Sequence, residues 1–410
     1  GPLNGHAGPG CSLLSTHDRR TAAKISNMDP LTHTFLGAVL ADTGLRRRTA
    51  LAGATLIIGA NLPDVDVLAY VHGPDAALGF RRGWTHGVLA LVVLPVLLTL
   101  AMLAVDRWRR RRGGPGPPAD PRQLFLLSAL GVASHPLLDW LNTYGVRVLM
   151  PFDGRWLYGD ALYIVDPWVW LAFGGTLFLL HSGSRRARHA WLALAALTTA
   201  LVFAAAGPHG WARWVWSAGI VAFLILRRRL GSEAPAHQRR HIARLALAGA
   251  ALYTAGMVAL TPWAEGRTLA QLRSDGVEPE APLMVGPDRI DPLRRLVVVP
   301  VDGAYRFGSY HPLRHPRLEL GAPHPILTSS GLTTPEARRA VDAAEAAPCV
   351  RGMVGWLRYP FYEVDGTEDG VVVHLLDARY TRGRTRGFGG AAVPLSSDLE
   401  PRCEVEDASP

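Results

Sequence analysis

Cysteine is scarce in this chain. There are three in 410 residues, Cys11, Cys349 and Cys403, and none has the paired spacing of a zinc or iron–sulfur ligand set. Cys349 and Cys403 could bridge in an oxidising compartment, but two cysteines alone do not establish it. Charge is thin as well, at 19% of residues. No His-Glu-x-x-His occurs, which argues against a zincin protease. No Gly-x-Ser-x-Gly occurs, which argues against an α/β-hydrolase, and there is no P-loop. Residues 1–27 lack a long apolar core, so no signal peptide is read there. They are expected to be a disordered leader or cloning segment ahead of a natural start at Met28-Asp29-Pro30.

Apolar residues, by contrast, make up 49% of the chain, and the mean hydropathy is +0.12. They fall in runs. Residues 86–105 form an uncharged run of about 20 residues, enough to span a ~30 Å bilayer core. Further runs cover 124–138, 164–180, 190–206, 211–226 and 245–260, with shorter ones at 49–62 and 30–41. The expectation is an α-helical multi-pass membrane protein of about seven or eight helices. From Gly266 the composition turns to Pro, Gly, Arg and acidic residues. Residues 296–301 and 371–376 read as strands, and 335–347 as a helix capped by Thr334. A small C-terminal α+β domain outside the membrane is therefore expected. The divisions are a membrane core at 28–180, additional transmembrane helices at 181–262, and the α+β domain at 263–410.

The net charge of +9 suggests nucleic acid at first sight, but the arginines sit in loops between apolar runs, where the positive-inside rule places them. No nucleic-acid partner is expected. Put the clusters at 46–48, 107–112, 185–188 and 227–244 in the cytoplasm, and the runs alternate without conflict. That topology, in a bacterial cytoplasmic membrane, has one consequence. His33, Asp64, Asp66, His86, His135, Asp139 and Asp166 all come to the extracytoplasmic face, with the C-terminal domain.

Taken singly, each of these residues has an ordinary structural explanation. Together they make a metal-site pattern. His135 and Asp139 stand four apart and share a helix face. Asp64 and Asp66 stand two apart and, in an extended or turn segment, point the same way. Three histidines and three aspartates suit one or two divalent ions, zinc first and manganese as the alternative. Asn61, Asn142, Tyr144, Asp160 and Asp166 are candidates to orient those ligands. Asp64 or Asp66 could act as base toward water. Arg82 and Arg155 could bind a phosphate bidentately.

Thr32-His33, Asn61-Leu62-Pro63-Asp64-Val65-Asp66, Arg82-Gly83-Trp84-Thr85-His86-Gly87, Ser134-His135-Pro136-Leu137-Leu138-Asp139 and Asn142-Thr143-Tyr144-Gly145 resemble, in order and spacing, the LexA-regulated, membrane-bound metal-dependent hydrolase family. Gly159-Asp160 and Val165-Asp166-Pro167 fit too, and the resemblance covers about 28–180. The tail, with Tyr359-Pro360-Phe361-Tyr362-Glu363 and Leu376-Asp377-Ala378-Arg379-Tyr380, is similar to longer members. The His-x-x-x-Asp pattern is distantly similar to zinc-dependent phospholipase C and the single-strand-specific zinc nucleases. The resemblance implies a multi-pass metal hydrolase. The expected partner is a membrane lipid or lipid-linked phosphoester, cleaved by metal-activated water. The alternative is a metal-ion or proton-coupled transporter using the same cluster. Oligomeric state is not legible in the sequence.

Overall fold

In a computed structural model, residues 29–207, 210–230, 235–381 and 389–403 are described. The segment read as a leader lies outside them. Nine helices of seven residues or more precede the first strand among the described residues: α1 (Pro30–Asp42), α2 (Ala52–Asn61), α3 (Pro74–Phe80), α4 (Val88–Arg111), α5 (Pro121–Trp140), α6 (Pro167–His181), α7 (Arg185–Ala205), α8 (Gly210–Leu230) and α9 (Ala236–Ser274). A 3-10 helix, Leu62–His72, continues directly from α2.

Three of these helices start the same way, with Asp followed by Pro. Proline fits the first helical position because its missing N–H has no partner there. The aspartate before it accepts the free amides of the first turn. Asp29 takes Thr32 N at 3.1 Å, Asp120 takes Arg122 N at 2.8 Å, and Asp166 takes Trp168 N at 2.9 Å. Asp166 is thus a helix cap, and its other oxygen accepts from Tyr253 of α9 at 2.8 Å.

Four helical stretches among the described residues are long and apolar enough to cross a membrane: Ala52–His72, Val88–Arg111, Arg185–Ala205 and Ala236–Ser274. By length and composition alone these are fewer than the expected seven or eight. At ~1.5 Å per residue, the 13 residues of α1 and 15 of α6 reach only about 20 and 22 Å. α5 has the length but carries Ser128, Ser134, His135 and Asp139. Arg213 interrupts α8. By the same arithmetic the 39-residue α9 is about 58 Å long. It crosses, runs on past Pro262 and carries the chain to the C-terminal domain.

α2 packs between α1 and α5, α4 packs on the far side of α5, and α6 and α9 lean on α1. Glycines set the spacing of the inner three. A Cβ on Gly37 would lie 2.8 Å from Leu56 O, and one on Gly59 would lie 3.2 Å from Gly131 Cα. Small residues let helix backbones meet where there is no hydrophobic driving force between helices. The basic clusters gather at the opposite end of the bundle from Asp139, where Arg244 donates to Thr43 O and Arg227 to Ser182.

Beyond α9 lie two four-stranded sheets. β1 (Met284–Pro287), β2 (Arg295–Val301), β3 (Ala304–His311) and β4 (His315–Pro325) form an antiparallel meander. β5 (Leu327–Ser330) pairs parallel to β6 (Pro360–Thr367), which continues antiparallel to β7 (Gly370–Asp377) and β8 (Gly390–Ser396). The expected strands are β2 and β7. The expected helix is α10 (Thr334–Glu345), capped one residue earlier than read, by Thr333, with Glu336 reaching back to its amide at 2.9 Å. α11 (Arg351–Trp356) follows. The sheets share a core of Met284, Val298, Tyr305, Tyr359, Phe361 and Leu376. A disulfide joins Cys349 to Cys403.

Candidate metal centre

The close α2–α5 contact puts Ala60 O 2.6 Å from His135 Nδ1. A carbonyl only accepts, so Nδ1 donates to it and Nε2 is the nitrogen turned toward the carboxylates. His86, fully buried at the entrance to α4, is held in the same sense. Its Nδ1 lies 2.9 Å from Thr85 Oγ1 and 3.4 Å from the Asp66 carboxylate, so its Nε2 also points inward.

Those two nitrogens meet two carboxylate oxygens. Asp64 Oδ1, His86 Nε2, His135 Nε2 and Asp139 Oδ2 lie within 4.8 Å of one another. Each is buried, and none has a hydrogen-bond partner among the described residues. Four acceptors facing one another are satisfied by a cation. The spacing fits as well. His86 Nε2 is 3.2 Å from Asp139 Oδ2. His135 Nε2 is 3.4 Å from Asp64 Oδ1 and 3.5 Å from Asp139 Oδ2. His86 Nε2 to Asp64 Oδ1 is 3.9 Å. A tetrahedron with bonds of about 2.0–2.1 Å has edges of about 3.3 Å.

The site expectations divide on this geometry. Asp64, His86, His135 and Asp139 converge. Asp66 does not point where Asp64 points. The segment is a 3-10 helix rather than extended, and at three residues per turn a two-residue step turns by ~240°. Asp66 instead accepts from Arg82 N at 2.9 Å and Thr85 Oγ1 at 3.0 Å, and lies 3.5 Å from Arg81 Nε. It sits behind His86, through Thr85, rather than beside it in the converging set. His33 stacks on His135 at 3.7 Å between centroids, with Nε2 3.6 Å from Asp139 Oδ1. That places it outside the converging four.

Arg82 is buried and fully engaged: NH2 on Asp139 Oδ1 at 2.8 Å, and NH1 on Asn142 Oδ1 and Gly145 O at 3.1 Å each. Its guanidinium lies 4.5 Å from the Tyr144 ring centroid. Asn142 and Tyr144 therefore support the site through Arg82. Burial pushes the Tyr144 phenol up to about 12, so it stays neutral. Asn61 ties α2 to α1 through Thr34 Oγ1 at 3.2 Å.

Three expectations fall elsewhere. Arg155 is an exposed side chain paired with Asp153, two residues away, at 2.6 Å. Asp160 accepts from Arg358 of the C-terminal domain at 2.8 Å. Asp166 is the α6 cap already described. Sequence reasoning missed Ala60, whose contribution is a backbone carbonyl that no residue type announces. It also missed Arg358 and Trp356, and quoted Arg379 only within the tail motif, without a role; all three lie more than 190 residues from the loop they touch.

Residues 28–209 match the family described as YdjM inner membrane protein. The matched region contains all four converging residues and ends just past α7. The chain is a multi-pass protein of the bacterial inner membrane. No curated protein and no solved structure matches it.

Proposed function

We propose that this protein is an integral-membrane metal-dependent hydrolase acting on a phosphoester of a membrane lipid or lipid-linked substrate. The observation that carries the reading is the convergence of four buried, unpartnered acceptors from Asp64, His86, His135 and Asp139. Their two-nitrogen, two-oxygen donor set suits zinc or manganese, and supports one ion rather than two. Arg82 holds the outer oxygen of Asp139, where a second cation would otherwise bind. A divalent ion bound there supplies Lewis-acid activation of water and polarises a phosphoryl oxygen.

The chain's own residues do the rest. Thr85 Oγ1, whose own hydroxyl is taken by Asp66, and Ala60 O hold the Nδ1 atoms of His86 and His135. Arg82 orients Asp139. Asp64 is the one ligand with a partly exposed side chain, 17% against 3% for Asp139 and 0% for each histidine, so the site opens on its side. Its second carboxylate oxygen is the group available to take a proton from water. Charge favours an anionic substrate. Three buried or part-buried carboxylates, Asp64, Asp66 and Asp139, face two buried guanidiniums, Arg81 and Arg82. A divalent ion leaves a net positive charge.

The choice of a lipid rests on the apolar residues around that opening. Val65, Val67, Leu68 and Val71 are exposed on the 3-10 helix that carries Asp64, and Trp84 and Phe152 are exposed in loops. The arginine clusters at the far end of the bundle and the Cys349–Cys403 disulfide support an extracytoplasmic site. The resemblance of the motifs to membrane-bound metal hydrolases supports the same reading.

The test is elemental analysis of detergent-purified protein beside His135→Ala and Asp64→Ala, followed by a screen of phospholipids and lipid-linked phosphates. One tightly held equivalent of zinc or manganese, lost in both variants, together with metal-dependent release of a phosphorylated or dephosphorylated lipid, is expected. Folded protein that takes up no metal overturns the reading. Metal flux into proteoliposomes, abolished by His86→Ala, without hydrolysis would put transport in its place.

A further inference from the structure

The C-terminal domain touches the membrane core at the strand of chain that holds Arg82. We propose that Arg379, on the short helix Ala378–Thr381 after β7, is a positioning residue of the metal centre. It acts through the 142–145 turn on Arg82, and through Arg82 on Asp139. The inference rests on the metal-centre reading above.

The path is continuous. Arg379 is buried and locked by Asp377, which takes its Nε at 2.9 Å and NH2 at 2.8 Å. The locked guanidinium donates NH1 to Thr143 O at 2.9 Å and NH2 to Trp356 O at 3.0 Å. Trp356 in turn donates Nε1 to Tyr144 O at 3.2 Å. Two consecutive carbonyls of the turn are therefore held by the C-terminal domain. On its other side the same turn gives Asn142 Oδ1 and Gly145 O to Arg82 NH1, and Arg82 NH2 reaches Asp139 Oδ1.

The turn's shape depends on this arrangement. Gly145 has φ +88°, and a Cβ there would lie 2.5 Å from the Tyr158 ring. That ring sits 5.1 Å from the Arg379 guanidinium. Asp377 also accepts the amide of Arg358, whose side chain donates to Asp160 at 2.8 Å. The anchor is thus fixed to the loop at two places. A buried arginine spent on a loop carbonyl is a costly choice for simple packing, since a charge is expensive to bury unless its bonds are made. Here it fixes the carbonyls that flank the groups holding Arg82. Removing outer partners of metal ligands typically weakens metal binding 10- to 100-fold, and a relay of this kind should sit at the low end.

The experiment uses the full-length protein in detergent, with Co2+ as probe, reading its affinity and its visible ligand-field spectrum. The variants are Arg379→Lys, Trp356→Phe and Arg82→Lys, with the two doubles that combine each of the first two with Arg82→Lys. Lysine keeps the charge of Arg379 but not its fork. Phenylalanine keeps the Trp356 ring position and removes only the donor, which gives a gentler variant should Arg379→Lys fail to fold. Each single variant is expected to weaken Co2+ roughly 10-fold and to alter the spectrum. Each double is expected to be no weaker than Arg82→Lys alone, because the effects run through one residue. Folded single variants with the parent spectrum and affinity, or doubles whose losses multiply, would overturn the relay while leaving the metal centre intact. No Co2+ binding by the parent protein would overturn the metal centre itself and the relay with it.

Discussion

Asp66 shows how the same residue type, two positions from one of the four converging donors, takes a different part. Its carboxylate collects Arg82 N, Thr85 Oγ1 and His86 Nδ1, and sits beside the Arg81 guanidinium. Asp66→Asn keeps the volume but loses the charge that opposes Arg81 and the pure acceptor that fixes the His86 proton. It is expected to weaken zinc or manganese about 10- to 100-fold while the protein remains folded. Asp64→Asn, which replaces a converging donor, is expected to abolish tight binding. Chelator competition on the two purified variants distinguishes them; equal affinities would remove the distinction drawn between the residues. The spacing of Asp64 and Asp66 made the pair visible in the sequence and misled as to their parts, because the segment's 3-10 winding is not written in its residue types. His135 and Asp139 were legible as partners because a four-residue step on a helix is unambiguous. Arg155 was read as functional from its residue type alone, and its nearest partner is its own neighbour in the loop.

At the scale of elements, the site exists because α1, α2 and α5 approach closely enough for Ala60 O to meet His135. Gly131 enables this: a Cβ there would sit 3.1 Å from Leu56 O and 3.2 Å from Gly59 Cα. Gly131→Val adds an isopropyl group where backbone lies opposite, so the helices must separate. The expected cost is about 1–3 kcal/mol of stability, and the bound metal should fall with it as Ala60 O withdraws. Thermal unfolding in detergent beside metal content checks this; an unchanged melting temperature with full metal would show that the contact is not limiting. Apolar runs announced most helices, and the Asp-Pro pairs mark three of their starts. The number of spans was less legible, since a run's hydropathy does not say whether it faces lipid or neighbours. α1 and α6 are short and apolar, and α1 lies against α2, α6 and α9.

At the scale of the whole molecule, the two halves meet through Arg379, Trp356 and Arg358, at sequence distances of 236, 212 and 198 residues from their partners. One sequence carries no record of such a pairing beyond residue type. The sidedness of the assembly, however, can be argued from it. Arg81 and Arg82 lie at the site end, against the positive-inside rule. Both are buried, Arg82 2.8 Å from Asp139 and Arg81 3.5 Å from Asp66. They are not loop charges of the kind the rule counts. The remaining clusters lie at the other end, and the disulfide-bonded domain lies with the site. In spheroplasts expressing a Cys11→Ser variant, the proposed topology, with Cys349 paired to Cys403 on the outer face, leads to labelling by a membrane-impermeant maleimide only after reduction and without permeabilisation. Labelling only after the membrane is opened would place the domain in the cytoplasm. Every helix direction would then reverse, and the site would face cytosolic substrates. Labelling from outside before any reduction would mean that the two thiols are free, and would leave the charge distribution alone to support the assigned topology.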